Sequence, residues 1–401
     1  MTVQGQSVAA ARGESRTGRV FLLAGEASGD VQAAHLAEAL GRLLPEVELV
    51  GAGGPRMAEA GVRLVLDTSD WGVVGYVEAY VRIPVFALRF RRVLGLLREL
   101  RPDVLVLVDF PGFNVRVAKA ACRSVPTVYY FPPMTYGRKG QRARVLAGLP
   151  VKVLATFPFE YEAYRAAGAD VVFVGHPAAD LVGPTVPRDR LWEQLGLQPG
   201  VPLLALLPGS RLQEVRSLLP VQLAAYRLLR ARGLAVQAAV AVASERLGPV
   251  VREILWRCGV EVPAPVGRTH DLLAHAQAAA VASGTATLEA AVLGAPAVVV
   301  YRVSRPTEWI ARRVATVPWV SLPNLLAGRP VLRELLQGDC RPEPLADALQ
   351  ELLSDPARAE EVRRQLRTVA QALGPPGATD RAAQEVARVL AFGGCRTHGV
   401  P

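Results

Sequence analysis

A turn of small residues followed by an arginine ends one apolar run in the second half of the chain. The segment PLLALLPGSRLQEV contains Gly209, Ser210 and Arg211, and a helix is predicted to begin near Glu214. Small residues let backbone N–H groups approach an anion, and a guanidinium can chelate phosphate oxygens. The pattern indicates a phosphate-binding turn, although an ordinary strand–helix turn capped by Ser210 explains it equally well.

A second turn of the same kind occurs in AAAVASGTATLEAAV. Ser283, Gly284 and Thr285 separate an apolar run from a helix, where hydroxyls and free N–H groups suit a diphosphate. Glu289, one turn further along, could accept hydrogen bonds from a ribose diol. The alternative is a plain helix cap at Thr285 with a solvated Glu289. Two such turns in one half of the chain favour nucleotide binding there.

Two carboxylates follow apolar runs in the first half. Glu26 lies in LLAGEASGD, where Gly25 and Ser28 permit close approach of a ligand, and Asp109 ends VLVLVD. A carboxylate at the carboxyl end of a strand is well placed as a general base, so both are candidate catalytic residues. The alternatives are a plain turn with a solvated Glu26, and capping of the next helix by Asp109, for which Asn114 competes.

The histidines and cysteines give little sign of metal binding. His176 follows an apolar run and Gly175 at the junction of the two halves, which makes it a candidate for a cleft, whereas we interpret His35, His270 and His275 as structural. The four cysteines lie far apart, and no histidine pair has metal-ligand spacing with carboxylates. We therefore predict reduced thiols, no metal site and no cofactor.

Two arginine-rich segments are candidate surfaces for anions. The helix predicted within Val81–Arg101 combines apolar and basic side chains, as is typical of a helix at an anionic membrane interface. Its candidate membrane contacts are Val85, Phe86, Arg89, Phe90 and Arg92. A buried helix with a solvated arginine edge is the alternative. The segment RKGQRAR, which begins at Arg138, could meet an anionic substrate; nucleic acid is not indicated, since RNP-like aromatics, zinc knuckles and helix-turn-helix spacing are absent from the sequence.

These residues require a scaffold in which strand-like apolar runs alternate with amphipathic helices from Arg19 onward. Continuously apolar strands in such an alternation predict parallel sheets that are covered on both faces. We predict an α/β protein with two doubly wound Rossmann-like domains facing across a cleft, 19–185 and 186–375, with a linker within Asp180–Gly200. A C-terminal helix at 376–395 could close either domain, including by packing back on the first, and the sequence does not decide between them.

The composition narrows the class of protein. The chain has 401 residues, 51% of them hydrophobic, and a net charge of +10, with only three lysines among 46 basic residues. This apolar content excludes disordered and fibrous proteins. The longest apolar runs have about ten residues, whereas a bilayer needs about 20. Since the first 18 residues are polar and lack a signal-peptide pattern, we expect a cytoplasmic protein with anionic partners.

Taken together, these segments resemble the lipid-A-disaccharide synthase family, whose members are inverting glycosyltransferases of the two-Rossmann-domain, GT-B type. The resemblance extends over roughly residues 19–353. It rests on LLAGEASGD, GAGGPRM, WGVVGYVEAY, DFPGFN, FPFE, GHPAAD, LLPGSRLQEV, ASGTATLEAAVLGAPAVVVYRV and VSLPNLLAGRPVLRELLQ, in that order along the chain. Each motif alone is weak, and their common order makes the resemblance specific.

The resemblance implies the joining of UDP-2,3-diacylglucosamine to 2,3-diacylglucosamine 1-phosphate, with release of UDP, in lipid A biosynthesis. Asp109 matches the aspartate thought to activate the acceptor 6-hydroxyl, with Glu26 beside it as a second catalytic candidate. The residues that would bind UDP are Gly209, Ser210, Arg211, Glu214, Ser283, Gly284, Thr285, Glu289 and Asn324.

The resemblance also implies where the acceptor and the membrane would bind. We assign Ser28, Asn114, Arg138 and His176 to the acceptor side of the cleft. The arginine-rich helix corresponds to the region expected to dock on the inner face of the cytoplasmic membrane, which implies a peripheral membrane protein. The sequence leaves the oligomeric state open.

One segment departs from the family pattern. Relatives usually carry a tryptophan-rich stretch, approximately SPxVWAWR, where this chain has FPPMTYGRKGQ at 131–141, without the tryptophans or the serine. This loop should border the acceptor side of the cleft. Two alternatives therefore stay open: a UDP-sugar glycosyltransferase or epimerase with another acceptor, and a non-catalytic binder of UDP-sugar or lipid.

Overall fold

The computed structural model describes residues 18–71, 83–135, 140–302 and 319–394. Within these ranges the first domain contains a seven-stranded parallel sheet in the order β3-β2-β1-β4-β5-β6-β7. Its strands are β1 (Arg19–Ala24), β2 (Glu48–Gly53), β3 (Arg63–Asp67), β4 (Val104–Val108), β5 (Thr127–Tyr130), β6 (Val151–Ala155) and β7 (Val171–Phe173). The helices between them are α1 (Ala27–Leu43), α2 (Pro55–Glu59), α3 (Ile83–Leu100), α4 (Pro111–Ala121), α5 (Gly140–Ala147), α6 (Pro158–Ala166) and α7 (Ala178–Leu181).

The first sheet is buried on both faces because helices cover each side. Successive side chains of a strand point to opposite faces, so Phe21 and Leu105 join one core while Leu22 and Val106 join the other. All five residues of β4 are buried. This two-sided burial explains why the central strands are apolar along their whole length.

The second domain repeats the architecture with a different strand order. Its described part holds a five-stranded parallel sheet in the order β12-β11-β10-β8-β9. The strands are β8 (Leu203–Leu207), β9 (Gln237–Val240), β10 (Ala278–Ala282), β11 (Ala297–Tyr301) and β12 (Arg333–Leu336). The helices are α8 (Arg188–Leu195), α9 (Leu212–Ala231), α10 (Gly248–Cys258), α11 (Thr269–His275), α12 (Thr285–Val292), α13 (Leu322–Ala327), α14 (Pro342–Ser354), α15 (Pro356–Gln371) and α16 (Ala378–Gly394).

Each sheet has a point at which the strand order reverses direction, and ligands of such folds bind there. In the first sheet β1 and β4 lie side by side, and in the second β8 and β10 do. The loops that follow these four strands contain the carboxylates and the small-residue turns singled out in the sequence. Topology therefore gathers residues that are far apart in the chain.

The last helix, α16, crosses back to the first domain. Ala382, Ala383 and Val386 of this helix lie in the same core as Leu22. The Asp180 carboxylate accepts hydrogen bonds from the backbone N–H groups of residues 377 and 378, at 2.7 and 3.0 Å. The crossing adds a second chain connection between the domains.

The linker is fixed to the second domain by one buried carboxylate. Asp271, at the start of α11, accepts hydrogen bonds from the backbone N–H groups of Thr185 and Val186, at 2.6 and 2.9 Å. A small apolar cluster that includes Phe157, Leu288 and Leu373 joins elements of both domains.

Strands β3 and β12 lack the continuous apolar pattern from which the other strands could be predicted. Both are edge strands of their sheets, and most of their residues are partly or fully exposed. An edge strand buries less apolar surface than a central one, so charged residues such as Arg63 and Glu334 interrupt its pattern.

The glycine-rich segment at 51–57 is shaped by packing. A Cβ at Gly51 would lie 2.5 Å from the Leu22 carbonyl oxygen, and one at Gly53 would lie 2.1 Å from the Met57 sulfur. Asp30 accepts a 2.8 Å hydrogen bond from the Gly54 N–H group. The segment therefore fits β2 closely against β1 and α2.

This packing predicts opposite effects for two glycine-to-alanine substitutions. Gly51→Ala should lower the free energy of unfolding by about 1–3 kcal/mol, because its methyl group meets backbone in β1. Gly41→Ala, in α1 with open space around it, should raise the free energy of unfolding by about 0.5–1 kcal/mol through helix propensity. Urea denaturation of both variants measures this, and equal effects would contradict the packing argument.

Candidate functional site

The loops after β1 and β4 are packed directly on each other. A Cβ at Gly25 would lie 2.1 Å from the Phe110 ring, so the approach requires glycine at this position. The Ser28 hydroxyl lies 3.4 Å from an Asp109 carboxylate oxygen. This contact brings Glu26 and Asp109, 83 positions apart in the sequence, to the same end of the sheet.

Asp109 and Phe110 have left-handed backbone conformations, with φ of 51° and 48°. Non-glycine residues rarely adopt this conformation, and it is held here by hydrogen bonds. The Asp109 carbonyl accepts from the Asn114 amide and from the Tyr129 hydroxyl, both at 2.9 Å, and the Asp109 N–H group donates to the Tyr130 carbonyl at 3.0 Å. The N-cap residue of α4 is Phe110, whose side chain makes no cap. The Asp109 carboxylate accepts hydrogen bonds from the Phe110 N–H group and the Ser28 hydroxyl, which hold it at the end of the sheet.

Asn114 supports this turn and does not face the acceptor. Its side chain is fully buried, and its amide also donates to the carbonyl groups of Val108 at 3.1 Å and Leu23 at 3.4 Å. The prediction of an acceptor contact at Asn114 is therefore corrected: the side chain is used to hold the β4–α4 turn. The Asn114 hydrogen bonds run from its amide N–H groups to carbonyl groups, so they do not cap the N–H groups of α4.

The carboxyl groups of Glu26 and Asp109 both have pKa values above the ordinary range. Burial and the nearby Asp109 charge raise the pKa of Glu26, and the Arg211 guanidinium partly offsets this increase. Burial also raises the pKa of Asp109, against hydrogen bonds from the Phe110 N–H group and the Ser28 hydroxyl. Arg211 belongs to the second domain, so its charge acts on Glu26 across the space between the two domains.

The turn after β8 presents Arg211 on the opposite side of the cleft. Arg211 is exposed and is the N-cap residue of α9. One Glu214 carboxylate oxygen accepts from the Ser210 and Arg211 N–H groups, both at 3.2 Å, and the other lies 3.0 Å from the guanidinium. Gly209 precedes them with a φ of 108°, in the region that favours glycine. The cap is closed by Glu214 and not by Ser210.

The turn after β10 is open to solvent at the start of α12. Gly284 and Thr285 are exposed, and Gly284 is the N-cap residue with a φ of 148°. Ser283 donates to the Val320 carbonyl at 3.2 Å. The His270 Nε2 atom lies 3.7 Å from the Glu289 carboxylate. The sequence did not indicate that His270 belongs to this site. Hydrogen bonding to Glu289 raises the pKa of His270.

Asn324 is completely buried and its amide is fully used within its own loop. Its Nδ2 donates to the Leu332 carbonyl and to the Glu334 carboxylate, both at 2.8 Å, and its Oδ1 accepts from the Val331 and Leu332 N–H groups at 2.8 Å. The expected nucleotide contact is therefore corrected to a role in holding the loop before β12.

His176 is a buried neutral imidazole between aromatic rings. Its ring stacks on Phe157 at 4.9 Å between centroids and meets the edge of Phe131 at 5.4 Å, and its Nδ1 accepts from the Ala178 N–H group at 3.1 Å. Burial lowers the pKa of His176 to about 4. Through Phe131 it contacts the segment that departs from the family pattern, and its backbone N–H donates to Leu373 at the domain junction.

Glu160 is a third carboxyl group at this end of the sheet, and the sequence analysis assigned it no role. It lies in the first turn of α6, is 2% exposed, and is 3.4 Å from the Thr156 hydroxyl. Burial raises the pKa of Glu160 to about 8, and the Asp109 charge contributes in the same direction. Its acidic first-turn position in FPFE is the only local signal, and that signal is shared by ordinary helix starts.

Three side chains of α3 that are predicted membrane contacts also pack against aromatic residues of the first domain. Phe86 and Phe90 pack against Phe113, and the Arg89 guanidinium lies 5.0 Å from the Trp71 ring centre. Phe86, Arg89 and Phe90 are half-buried, so these contacts describe the inner side of the helix, and their membrane contact stays a prediction.

The solvent-exposed side of α3 carries two apolar and two basic side chains. Val85 is 44% exposed and Leu88 is 70% exposed, and Arg91 and Arg92 are exposed. None of the helices in the described ranges has the length and apolarity needed to cross a bilayer.

Two further predictions from the sequence are an anion contact at Arg138 and the absence of a metal site. Arg138 lies outside the described residues. Across the parts of the chain that the structure describes, no three His, Cys, Asp or Glu side chains gather as a metal site would require.

Comparison with known proteins gives consistent matches over most of the chain. Residues 20–387 match the family model described as lipid-A-disaccharide synthetase. The lipid-A-disaccharide synthase of Geobacter sulfurreducens is 36% identical over 378 residues, covering 94% of this chain and 98% of that protein. The Myxococcus xanthus lipid-A-disaccharide synthase is 39% identical over 373 residues, covering 93% and 97%.

A solved structure gives the same fold at low sequence identity. The co-structure of S. aureus MnaA with UDP aligns with a TM-score of 0.65 at 14% identity, covering 94% of this chain and 98% of that one. This agreement confirms the predicted architecture of two Rossmann-like domains, the GT-B type.

The buried Glu160 predicts a stability difference that depends on pH. Its pKa in the folded protein, about 8, lies above the ordinary value of 4.5, so its contribution is complete below about pH 4.5 and is lost as pH rises through about 8. Glu160→Gln should therefore have a free energy of unfolding a few kcal/mol above wild type at about pH 9, and close to wild type at about pH 5. Denaturant titrations at both pH values measure this, with the exposed Glu99→Gln as control. A pH-independent difference would contradict the burial argument.

Proposed function

Because the chain belongs to the lipid-A-disaccharide synthase family, we propose that its interdomain cleft joins UDP-2,3-diacylglucosamine to 2,3-diacylglucosamine 1-phosphate. The protein is a glycosyltransferase of lipid A biosynthesis. The observation that supports this placement of the reaction is the position of the candidate groups: Glu26 and Asp109 follow β1 and β4 and meet through Ser28, and the turn with Arg211 follows β8 at the reversal point of the second sheet. A base and an anion-binding group on opposite sides are what a sugar transfer from a nucleotide requires.

The second domain would hold the nucleotide. The turn at Gly209–Arg211 and the start of α12 at Gly284 and Thr285 lie at the same end of the sheet, since β8 and β10 are neighbours, and their backbone N–H groups would face the nucleotide. N-termini of helices favour negative charge, and Arg211 adds a full positive charge. Glu289, oriented by His270, would accept hydrogen bonds from the ribose hydroxyls.

The reaction would be a single displacement at the anomeric carbon. The acceptor 6-hydroxyl attacks this carbon as Asp109 takes the hydroxyl proton, and the bond from the carbon to the diphosphate oxygen breaks. Because burial raises the pKa of Asp109, its carboxylate is a stronger base than an exposed aspartate. Inversion at carbon follows from attack opposite the leaving group.

The leaving UDP gains negative charge during the reaction. With the diphosphate bound, Arg211 and the helix N-termini would stabilise that charge. Glu26, which lies beside Asp109, would accept a hydrogen bond from a sugar hydroxyl and orient the acceptor. Ser28 would contribute to the same side of the cleft.

Helix α3 would bring the enzyme to its lipid substrates at the membrane surface. Leu88 and Val85 are exposed on a helix that also exposes Arg91 and Arg92. Apolar and basic side chains together suit an anionic lipid surface. The inner face of the α3 helix packs on Phe113 of α4, the helix that follows Asp109, so the membrane contact lies close to the reaction site.

The direct test of function is product formation with both lipid substrates. Purified protein with UDP-2,3-diacylglucosamine and 2,3-diacylglucosamine 1-phosphate should give equal amounts of disaccharide 1-phosphate and UDP, and no UDP release without acceptor. Mass spectrometry and a coupled UDP assay measure the two products. UDP release only with a different acceptor, or no release at all, would contradict this assignment.

Arg211 should be needed for nucleotide affinity. Arg211→Ala is expected to weaken UDP binding by about tenfold to a hundredfold, because a charge-assisted contact to phosphate is lost. Calorimetry measures the dissociation constant, with Arg216→Ala on the same helix as control, since Arg216 is exposed. Unchanged UDP affinity in Arg211→Ala would exclude this residue from the nucleotide site.

The membrane contact can be tested with vesicles. Leu88→Glu should reduce binding to vesicles that contain anionic phospholipid by about fivefold or more, because it removes apolar surface and adds repulsion. Trp256→Glu is a matched control, since Trp256 is 82% exposed in the second domain. Cosedimentation measures the bound fraction, and an equal loss in both variants would argue against a specific role of α3.

A further inference from the structure

In the turn after β8, the Glu214 carboxylate binds the groups that would otherwise bind an anion. One of its oxygens accepts hydrogen bonds from two successive backbone N–H groups, those of Ser210 and Arg211, and its other oxygen faces the Arg211 guanidinium at 3.0 Å. A phosphate at this turn would use the same three groups. The carboxylate therefore satisfies the donors that a nucleotide phosphate would need.

Gly209 shows how closely the carboxylate fits. A Cβ on Gly209 would lie 2.4 Å from one Glu214 oxygen, and Gly209 also has the positive φ that orients the following N–H groups inward. Successive N–H groups pointing into one concavity form an anion-binding nest. The Glu214 side chain is 17% exposed, whereas Arg211 is 62% exposed, so the carboxylate lies on the inner side of the turn.

We propose that Glu214 is an internal competitor of the nucleotide diphosphate, which must displace its carboxylate from the turn to bind. This inference rests on the proposed binding of UDP in the second domain. It also changes the predicted role of Glu214 from a nucleotide contact to a group that leaves when the nucleotide enters.

The competition would make binding selective for charge. A ligand that brings a phosphate replaces the hydrogen bonds of Glu214 and keeps the N-terminus of α9 capped. A neutral sugar or nucleoside cannot replace them, so the carboxylate stays in place. Displacement also frees the Arg211 guanidinium from its ion pair at the moment the diphosphate arrives.

Calorimetry with Glu214→Gln tests the proposal. The amide is nearly isosteric but lacks the charge, so UDP should bind about three- to tenfold more tightly than to wild type, while uridine binding should be unchanged. Glu214→Ala should change UDP affinity in the same direction. Thermal melting of both variants verifies that they are folded.

Asp355→Asn is the matched control for loss of a helix cap. Asp355 caps α15 by accepting from the Ala357 and Arg358 N–H groups, at 2.9 and 3.0 Å, outside the cleft. Its substitution should leave UDP affinity within about twofold of wild type.

Two results would overturn the inference. Weaker or unchanged UDP binding by folded Glu214→Gln would show that the carboxylate does not compete. An equal gain for uridine would show an effect unrelated to phosphate. Arg211→Ala, measured in parallel, separates failure of this inference from failure of the proposed nucleotide site. If Arg211→Ala binds UDP more weakly, the nucleotide site stands and only the competition by Glu214 is excluded. If its UDP affinity is unchanged, both proposals are excluded.

Discussion

The left-handed turn at Asp109 and Phe110 is the constraint on which the site depends. Two consecutive non-glycine residues in this conformation cost about 1–3 kcal/mol each, and the surrounding structure has to offset that cost. The Asn114 amide and the Tyr129 hydroxyl hold the Asp109 carbonyl, and the Phe110 ring packs against Gly25 and the aromatic core. The result is a carboxylate held at the end of the sheet, where it accepts hydrogen bonds from the Phe110 N–H group and the Ser28 hydroxyl.

The fold brings the other groups to this turn through the reversal points of its two sheets. Most strands could be predicted because central strands of a doubly wound sheet are apolar throughout, as in Val104–Val108. The edge strands β3 and β12 could not, because one-sided pairing tolerates exposed charge. Packing of the last helix on the first domain was also undetermined by its pattern, since the apolar face of α16 would fit either domain.

Candidate site residues could be chosen from the sequence where residue type alone defines the chemistry, as for Glu26, Asp109 and Arg211, and their roles stay predictions. A residue's role was not predictable where long-range hydrogen bonds decide it. Asn114 and Asn324 are polar residues next to expected ligand loops, yet their amides bind backbone of their own turns. Burial raises the pKa of Glu160, and a hydrogen bond with the distant Glu289 raises that of His270, so neither shift could be predicted from the local sequence.

The turnover of Asp109→Asn tests the central claim most directly. The amide has nearly the same shape and cannot take a proton, so the rate of disaccharide formation should fall by at least about a hundredfold to ten-thousandfold. UDP affinity should stay within about twofold of wild type, because the nucleotide turns lie in the other domain. Turnover close to wild type would contradict the role of Asp109 as base, and a parallel loss of UDP binding would show that its role is structural.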